Sequence, residues 1–145
     1  MEKLQETGNP KICPTIAIIK NNQLLIGLRH YTPEKWQMLS VWTIPGGRCD
    51  DNEKIENALK REVAEEIGIT DLNITDFLGE VEGVKDKDIV YVFAGNTNQE
   101  PKLLEPEKFS EWKWQDIDKI PETFINLKSL VLIKNFINKQ HVKQI

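Results

Sequence analysis

At 145 residues, with 39% hydrophobic, 8% aromatic and 29% charged residues, the chain is sized for one domain spanning 1–145 with a single core, and its composition excludes disordered and membrane-embedded classes. A formal net charge of -4 argues against a broad, sequence-independent grip on nucleic acid, which requires a basic surface. The opening MEKLQETGNPK lacks the apolar stretch of an export signal, so the cytoplasm is the expected location, and no run is long enough to span a bilayer.

In chain order, CPTIAIIK and QLLIGLRH are β-branched-rich runs joined by Asn21 and Asn22, residues that tolerate the positive φ of a tight hairpin turn. A polar loop through HYTPEKWQ leads to a short strand, VWTI, stopped by Pro45, Gly46 and Gly47. The segment DDNEKIENALKREVAEEIG predicts a helix from about Asn52 to Ile67, capped by its Asp and Asn residues and ended by Gly68. ITDFLGEVEG and DIVYVFAG read as an antiparallel pair around the charged turn VKDKD, and WKWQDI as a half-buried strand. A final helix is expected from about Glu122, with Phe124, Leu127, Leu130, Val131 and Ile137 on its apolar face. Layer logic then gives a mixed sheet covered by helices, an α/β or α+β fold.

Side-chain inventory narrows the chemistry. The two cysteines, Cys13 and Cys49, read as reduced thiols, and His30 and His141 lack ligand-spaced partners, so a metal here takes oxygen ligands. Of 19 Lys and Arg residues only Arg29, Arg48 and Arg61 are arginine, and their clustering around the central segment favours a phosphate ligand there.

The central helix carries a local conflict. Ile55, Leu59, Val63 and Ile67 form its apolar stripe, and Glu62, Glu65 and Glu66 project beside or within it, partly inward. Three like charges at i,i+3 and i,i+4 spacing, near the negative end of the helix dipole, oppose folding. A hard divalent cation removes that conflict; a solvated acidic face tolerates it. Helix geometry by itself leaves both readings open.

Gly47 to Ile69 resembles the Nudix box. Gly47, five residues, Glu53, seven residues, Arg61 and Glu62, an apolar Val63, then Glu65, Glu66, Gly68 and an apolar Ile69 fill every defining position. The resemblance implies an α/β/α sandwich and an Mg²⁺- or Mn²⁺-dependent hydrolase of nucleotide phosphoanhydrides. It also implies that Glu62, Glu65 and Glu66 are metal ligands, that a backbone carbonyl of Gly46 or Gly47 joins them, and that Glu62 is the general base. Glu53 is implied as an auxiliary acid, or simply a charge suited to the helix N-terminus, and Arg61 as the salt-bridge partner that orients a glutamate.

Within the family the chain looks most like the MutT-type nucleoside triphosphate diphosphatases, which implies cleavage to monophosphate and pyrophosphate. On that likeness Arg29 meets phosphate and Glu107 completes the metal site, with Glu105 and Glu111 as alternatives. Phe124 falls where purine-reading relatives place an asparagine, and is equally suited to the core. Tyr31, Trp36, Trp42, Trp112 and Trp114 are candidates for stacking on a base, or for the core. Other readings are hydrolysis of a nucleoside diphosphate derivative such as ADP-ribose or a nucleotide sugar, an RNA 5′-end processor, and a non-catalytic ligand-sensing module. The expected partner is a small nucleotide, with a homodimer a further option and no membrane.

Overall fold

A computed structural model describes residues 1–30, 40–83 and 88–143. Its elements are β1 (Ile12–Lys20), β2 (Gln23–Arg29), β3 (Val41–Thr43), α1 (Ile55–Ile67), β4 (Asn73–Glu82), β5 (Ile89–Asn96), β6 (Phe109–Asp116) and α2 (Leu127–Lys143). Two short 3₁₀ turns, at Lys3–Gln5 and Ile117–Lys119, complete the described elements. All of the expected turn VKDKD but its last residue, Asp88, and the candidates Tyr31 and Trp36, lie outside the described residues.

The strands form one mixed sheet in the order β3-β2-β1-β5-β4, with β6 pairing β2 along its other side. Only β1 and β5 run parallel among the described pairs. The β1–β2 hairpin closes through Asn21 (φ 51) and Asn22 (φ 65), the left-handed pair that matches the right-handed strand twist. Pairing between β1 and β2 is confined to Ile19↔Leu24 and Lys20↔Gln23, so the strands diverge beyond the turn. The segment following β3 takes up the vacated edge of β1: Ile16 N–H donates to Pro45 O (3.0 Å), Gly47 N–H to Pro14 O (3.2 Å) and Cys49 N–H to Ile12 O (3.0 Å).

Alternation along the strands builds a core on each face of the sheet. Ile16, Ile18, Leu25 and Phe93 pack against Ile55, Leu59, Val63 and Ile67 of α1. Ala17, Leu24, Ile26 and Val92 pack against Leu130, Ile133 and Ile137 of α2. Helices therefore cover both faces, an α/β/α sandwich in which the α1 stripe is the expected one.

The helix ends differ from the expected ones for identifiable reasons. Helix α1 begins at Ile55, and its N-cap, Lys54, makes no side-chain cap bond. Asn52 takes φ 62, Glu53 Oε1 accepts from Asp50 N–H (2.9 Å), and Ile55 N–H is satisfied by Glu6 O (2.9 Å). The acidic opening is thus a turn, stitched to the amino-terminal segment instead of capping itself. At the other end Gly68 takes φ 70 and returns its N–H to Ala64 O, as the glycine stop requires.

Helix α2 begins at Leu127, not near Glu122, because residues 123–125 are bound to β3. Trp42 N–H donates to Thr123 O (3.1 Å) and Ile125 N–H to Trp42 O (2.8 Å), while Asn126 Oδ1 caps the helix through Ser129 N–H (3.1 Å). The delayed start shifts the buried face: Leu127 (62%) and Val131 (57%) are exposed, correcting the expected stripe, and Phe124 is core. Burial of Leu59 against Ile16, Ile18 and Phe93 predicts that Leu59→Ala destabilises the fold by about 2–5 kcal/mol in urea denaturation.

Candidate active site

Two carboxylates of α1 and one from the turn before it gather around one guanidinium. Arg61 Nε and Nη2 hold both oxygens of Glu53 (2.8 and 2.9 Å), and Nη1 reaches Glu62 Oε1 (2.9 Å) and Glu65 Oε2 (3.4 Å). Its Nη2 also donates to Arg48 O at 3.3 Å. Glu53 pairing holds the guanidinium firmly protonated, with Glu62 adding to the effect. Reciprocally, the Arg61 hydrogen bonds hold Glu53 below the usual glutamate range, assisted by Asp50 N–H. Arg61 is thus in position to orient glutamates.

Glu66 stands apart from that hub and is 7% exposed. Its Oε1 accepts the Gly46 N–H at 3.0 Å. Burial pushes its pKa up to about 8, against the pull of the Gly46 hydrogen bond; Glu62 and Glu105 push the same way and Arg29 opposes. Glu62 is half-buried, and burial raises it too, with Arg61 pulling the other way. Gly47 permits this closeness: a Cβ there would land on the Glu62 carboxyl carbon and Oε2. Glu65 is the outlier, 54% exposed at its side chain and held only through Arg61 among the described residues.

The third wall is the segment before β6. Lys102 N–H donates to Ile67 O (2.8 Å), docking it on the end of α1, and His30 N–H donates to Lys108 O (2.8 Å), tying it to the end of β2. Glu105 consequently bears on Glu66 and Lys108 on Glu62. Glu107, the expected metal ligand, is exposed, as is Glu111, so Glu105 is the acid of this segment turned to the site. Arg29, at the end of β2, holds its guanidinium 5.7 Å from the Phe109 ring centroid and bears on Glu66. Arg48 and Arg61 are both engaged by carboxylates, so the arginine cluster contributes Arg29 to the site as a cation outside carboxylate ion pairs among the described residues.

Other expectations change more. Trp42 and Phe124 are buried in the α2-side core, Trp112 lies over Gly27 and beside Phe109, and Trp114 donates to Glu100 beneath Lys20. None of these four offers a free ring to the carboxylates. Both cysteines are free, and burial pushes their thiols up, Cys13 to about 12 and Cys49 to about 11, which disfavours the thiolate near neutral pH. Lys108 carries no local motif in the sequence, because it comes to bear on Glu62 only through the docking of its segment on α1 and β2.

Among the described residues no three acidic, His or Cys side chains converge into a metal cage, since Arg61 draws in Glu62 and Glu65 while Glu66 points to Gly46. The donor chemistry nonetheless fits a hard dication. The acids are all oxygen donors, and a cation beside Glu66 and Glu62 would offset the desolvation that now favours their protonated forms.

The family model of the NUDIX domain matches residues 13–136. The chain belongs to the Nudix family. An RNA pyrophosphohydrolase from Caulobacter vibrioides is 25% identical over 148 residues, spanning 86% of this chain and 84% of its own length. A crystal structure of a MutT NUDIX hydrolase from Burkholderia pseudomallei superposes with a TM-score of 0.73 at 25% identity, covering 86% of this chain and 96% of that one. An Ap4A hydrolase of C. elegans shares the fold at a TM-score of 0.71 and 19% identity, covering 89% of this chain and 98% of that one. This Nudix protein is therefore a pyrophosphohydrolase acting on phosphoanhydride bonds, in a family that generally uses divalent metals. No helix among the described residues is long and apolar enough to cross a membrane.

Glu66 makes the Nudix site pH-sensitive in a defined direction. In the folded chain it keeps its proton up to about pH 8, whereas unfolded it loses it near 4.5, so within that window the folded state binds more protons and stability falls as pH rises. Glu62 acts in the same direction, and Glu53, held low, acts only below the window. Urea melts in chelator should show this decline for the wild type and a flatter profile, with higher stability near the upper limit, for Glu66→Gln.

Proposed function

We propose that the chain hydrolyses nucleoside triphosphates to a monophosphate and pyrophosphate, working as a single Nudix domain over residues 1–145 with Mg²⁺ or Mn²⁺. The observation that carries this reading is the buried Glu66 beside half-buried Glu62, backed by Gly46 and Gly47 and faced by Arg29. An anhydride chain of several phosphates needs both kinds of group: acids that gather a dication, and a fixed cation for oxygens that the dication leaves uncovered.

Glu62, Glu65 and Glu66 hold the metal in this reading, with Glu105 in the place first given to Glu107 and a carbonyl of Gly47 adding to the set. When bound, the dication supplies neutralisation of the phosphate oxygens. The chain's own residues do the rest. Glu62 accepts the proton of the attacking water as its oxygen bonds to one of the two phosphorus atoms of the α–β bridge; the bridging P–O bond breaks and its electron pair leaves with the other product, so that nucleoside monophosphate and pyrophosphate separate. Arg61 holds Glu62 in place, and Arg29 steadies the phosphate chain.

A second reading is favoured by one finding: relatives called RNA pyrophosphohydrolases align along most of both chains. The same α–β cleavage then occurs on a triphosphate at an RNA 5′ end, despite the net charge of -4. A product-resolved panel of nucleoside triphosphates, 5′-triphosphate RNA, ADP-ribose and nucleotide sugars, with Mg²⁺, decides between them. Pyrophosphate from free triphosphates supports the first reading; release from RNA alone supports the second; cleavage of ADP-ribose or sugars alone overturns both. On the preferred substrate Glu62→Gln should lower kcat by about 100-fold or more, and Glu53→Gln, which acts through Arg61, by less.

A further inference from the structure

Arg48 immediately follows the two glycines that back Glu66 and Glu62, and its side chain leaves the carboxylate hub altogether. Its fork meets Asp88 through Nη1 to Oδ1 (3.1 Å) and Nη2 to Oδ2 (2.5 Å), and Nη1 also reaches Pro10 O (3.2 Å). Asp88, immediately before β5, is 7% exposed and is itself fixed. Its carbonyl accepts Gly83 N–H (2.7 Å), and the next residue, Ile89, donates to Lys11 O (2.9 Å). Meanwhile Arg48 O accepts from Arg61 Nη2 at 3.3 Å. One residue therefore joins the guanidinium hub of α1 to strand β5 across the Gly46–Gly47 turn.

An exposed ion pair adds little stability, but a two-point fork on a buried carboxylate fixes geometry. We propose that Arg48 is a positioning residue whose pair with Asp88 seats the Gly46–Gly47 turn, so that Gly46 N–H meets Glu66 and the Gly47 backbone abuts the Glu62 carboxyl. The rival role, gripping substrate phosphate, would require the fork to release Asp88, a buried carboxylate for which Arg48 is the ion-pair partner among the described residues. The proposal rests on Glu62 and Glu66 being the working carboxylates.

Arg48→Gln, Asp88→Asn and the double variant separate the roles, read by steady-state kinetics and by hydrogen exchange at the Gly46 amide. Each single change should lower kcat by about 10- to 100-fold with KM held within about threefold, since small misplacements cost turnover. The double variant should be no worse than the worse single one, and Gly46 exchange should quicken by about tenfold or more in all three while α2 amides stay protected. A rise in KM with kcat intact, an inert Asp88→Asn, additive losses, or unchanged Gly46 exchange would each overturn the proposal. Should Arg48→Gln not fold, Arg48→Lys keeps the charge without the fork and takes its place with the same expectations. Wild type inert on every nucleotide would overturn the functional reading instead, leaving Gly46 exchange to decide the clamp.

Discussion

The Arg61 guanidinium is the interaction on which the site depends. Carboxylates packed on one helix edge repel one another, and the repulsion grows as water is excluded. A single fixed cation among Glu53, Glu62 and Glu65 converts that repulsion into a defined arrangement. Both oxygens of Glu53 are consumed in the pairing, which suits that residue to hold Arg61 in place. Glu62 keeps one oxygen on Arg61 and presses the other end of its carboxylate toward Gly47. Glu66, beyond the reach of Arg61, has only a backbone N–H among the described residues, and is the acid for which burial costs most.

The sheet makes room for this cluster by separating β1 from β2. Had the hairpin zipped along its length, no edge of β1 would remain for residues 45–49, and Gly46 and Gly47 would not lie against α1. The far end of the helix is used in the same way. Thr70 N–H donates to Gln99 Oε1 (2.7 Å) and Lys102 N–H to Ile67 O (2.8 Å), so the segment bringing Glu105 and Lys108 is hung from the end of α1. The Ile67 carbonyl, left without an intrahelical partner at the terminus, thereby becomes a fixing for the segment before β6.

The sequence was most informative where a pattern has a local cause. The Asn21–Asn22 turn, the 3.6-residue stripe of α1 and the Gly68 stop all follow from short-range sterics or periodicity, and the Nudix box is legible as a contiguous family motif. The acids of REVAEEIG stood out as a charge arrangement that opposes the helix, but that conflict left a solvated face open, and it was the family motif that marked them as candidate site residues. Legibility ended where long-range pairing decided. Nothing in the sequence around Thr123 and Ile125 signals that both bond to Trp42, yet that pairing delays α2, and Leu127 and Val131 face solvent. The placing of Glu105 toward Glu66 while Glu107 faces solvent, and the engagement of Arg48 by Asp88, likewise depend on contacts between distant segments.

The central claim is that burial prepares Glu66, together with the hub around Arg61, to take up a hard dication. Titration of Mn²⁺ into the metal-free protein, followed by electron paramagnetic resonance, tests it without reference to any substrate. The account predicts saturable binding by the wild type and affinity weakened by about tenfold or more in Glu66→Gln, as expected on removing a carboxylate ligand. Equal affinity in the two proteins would contradict it.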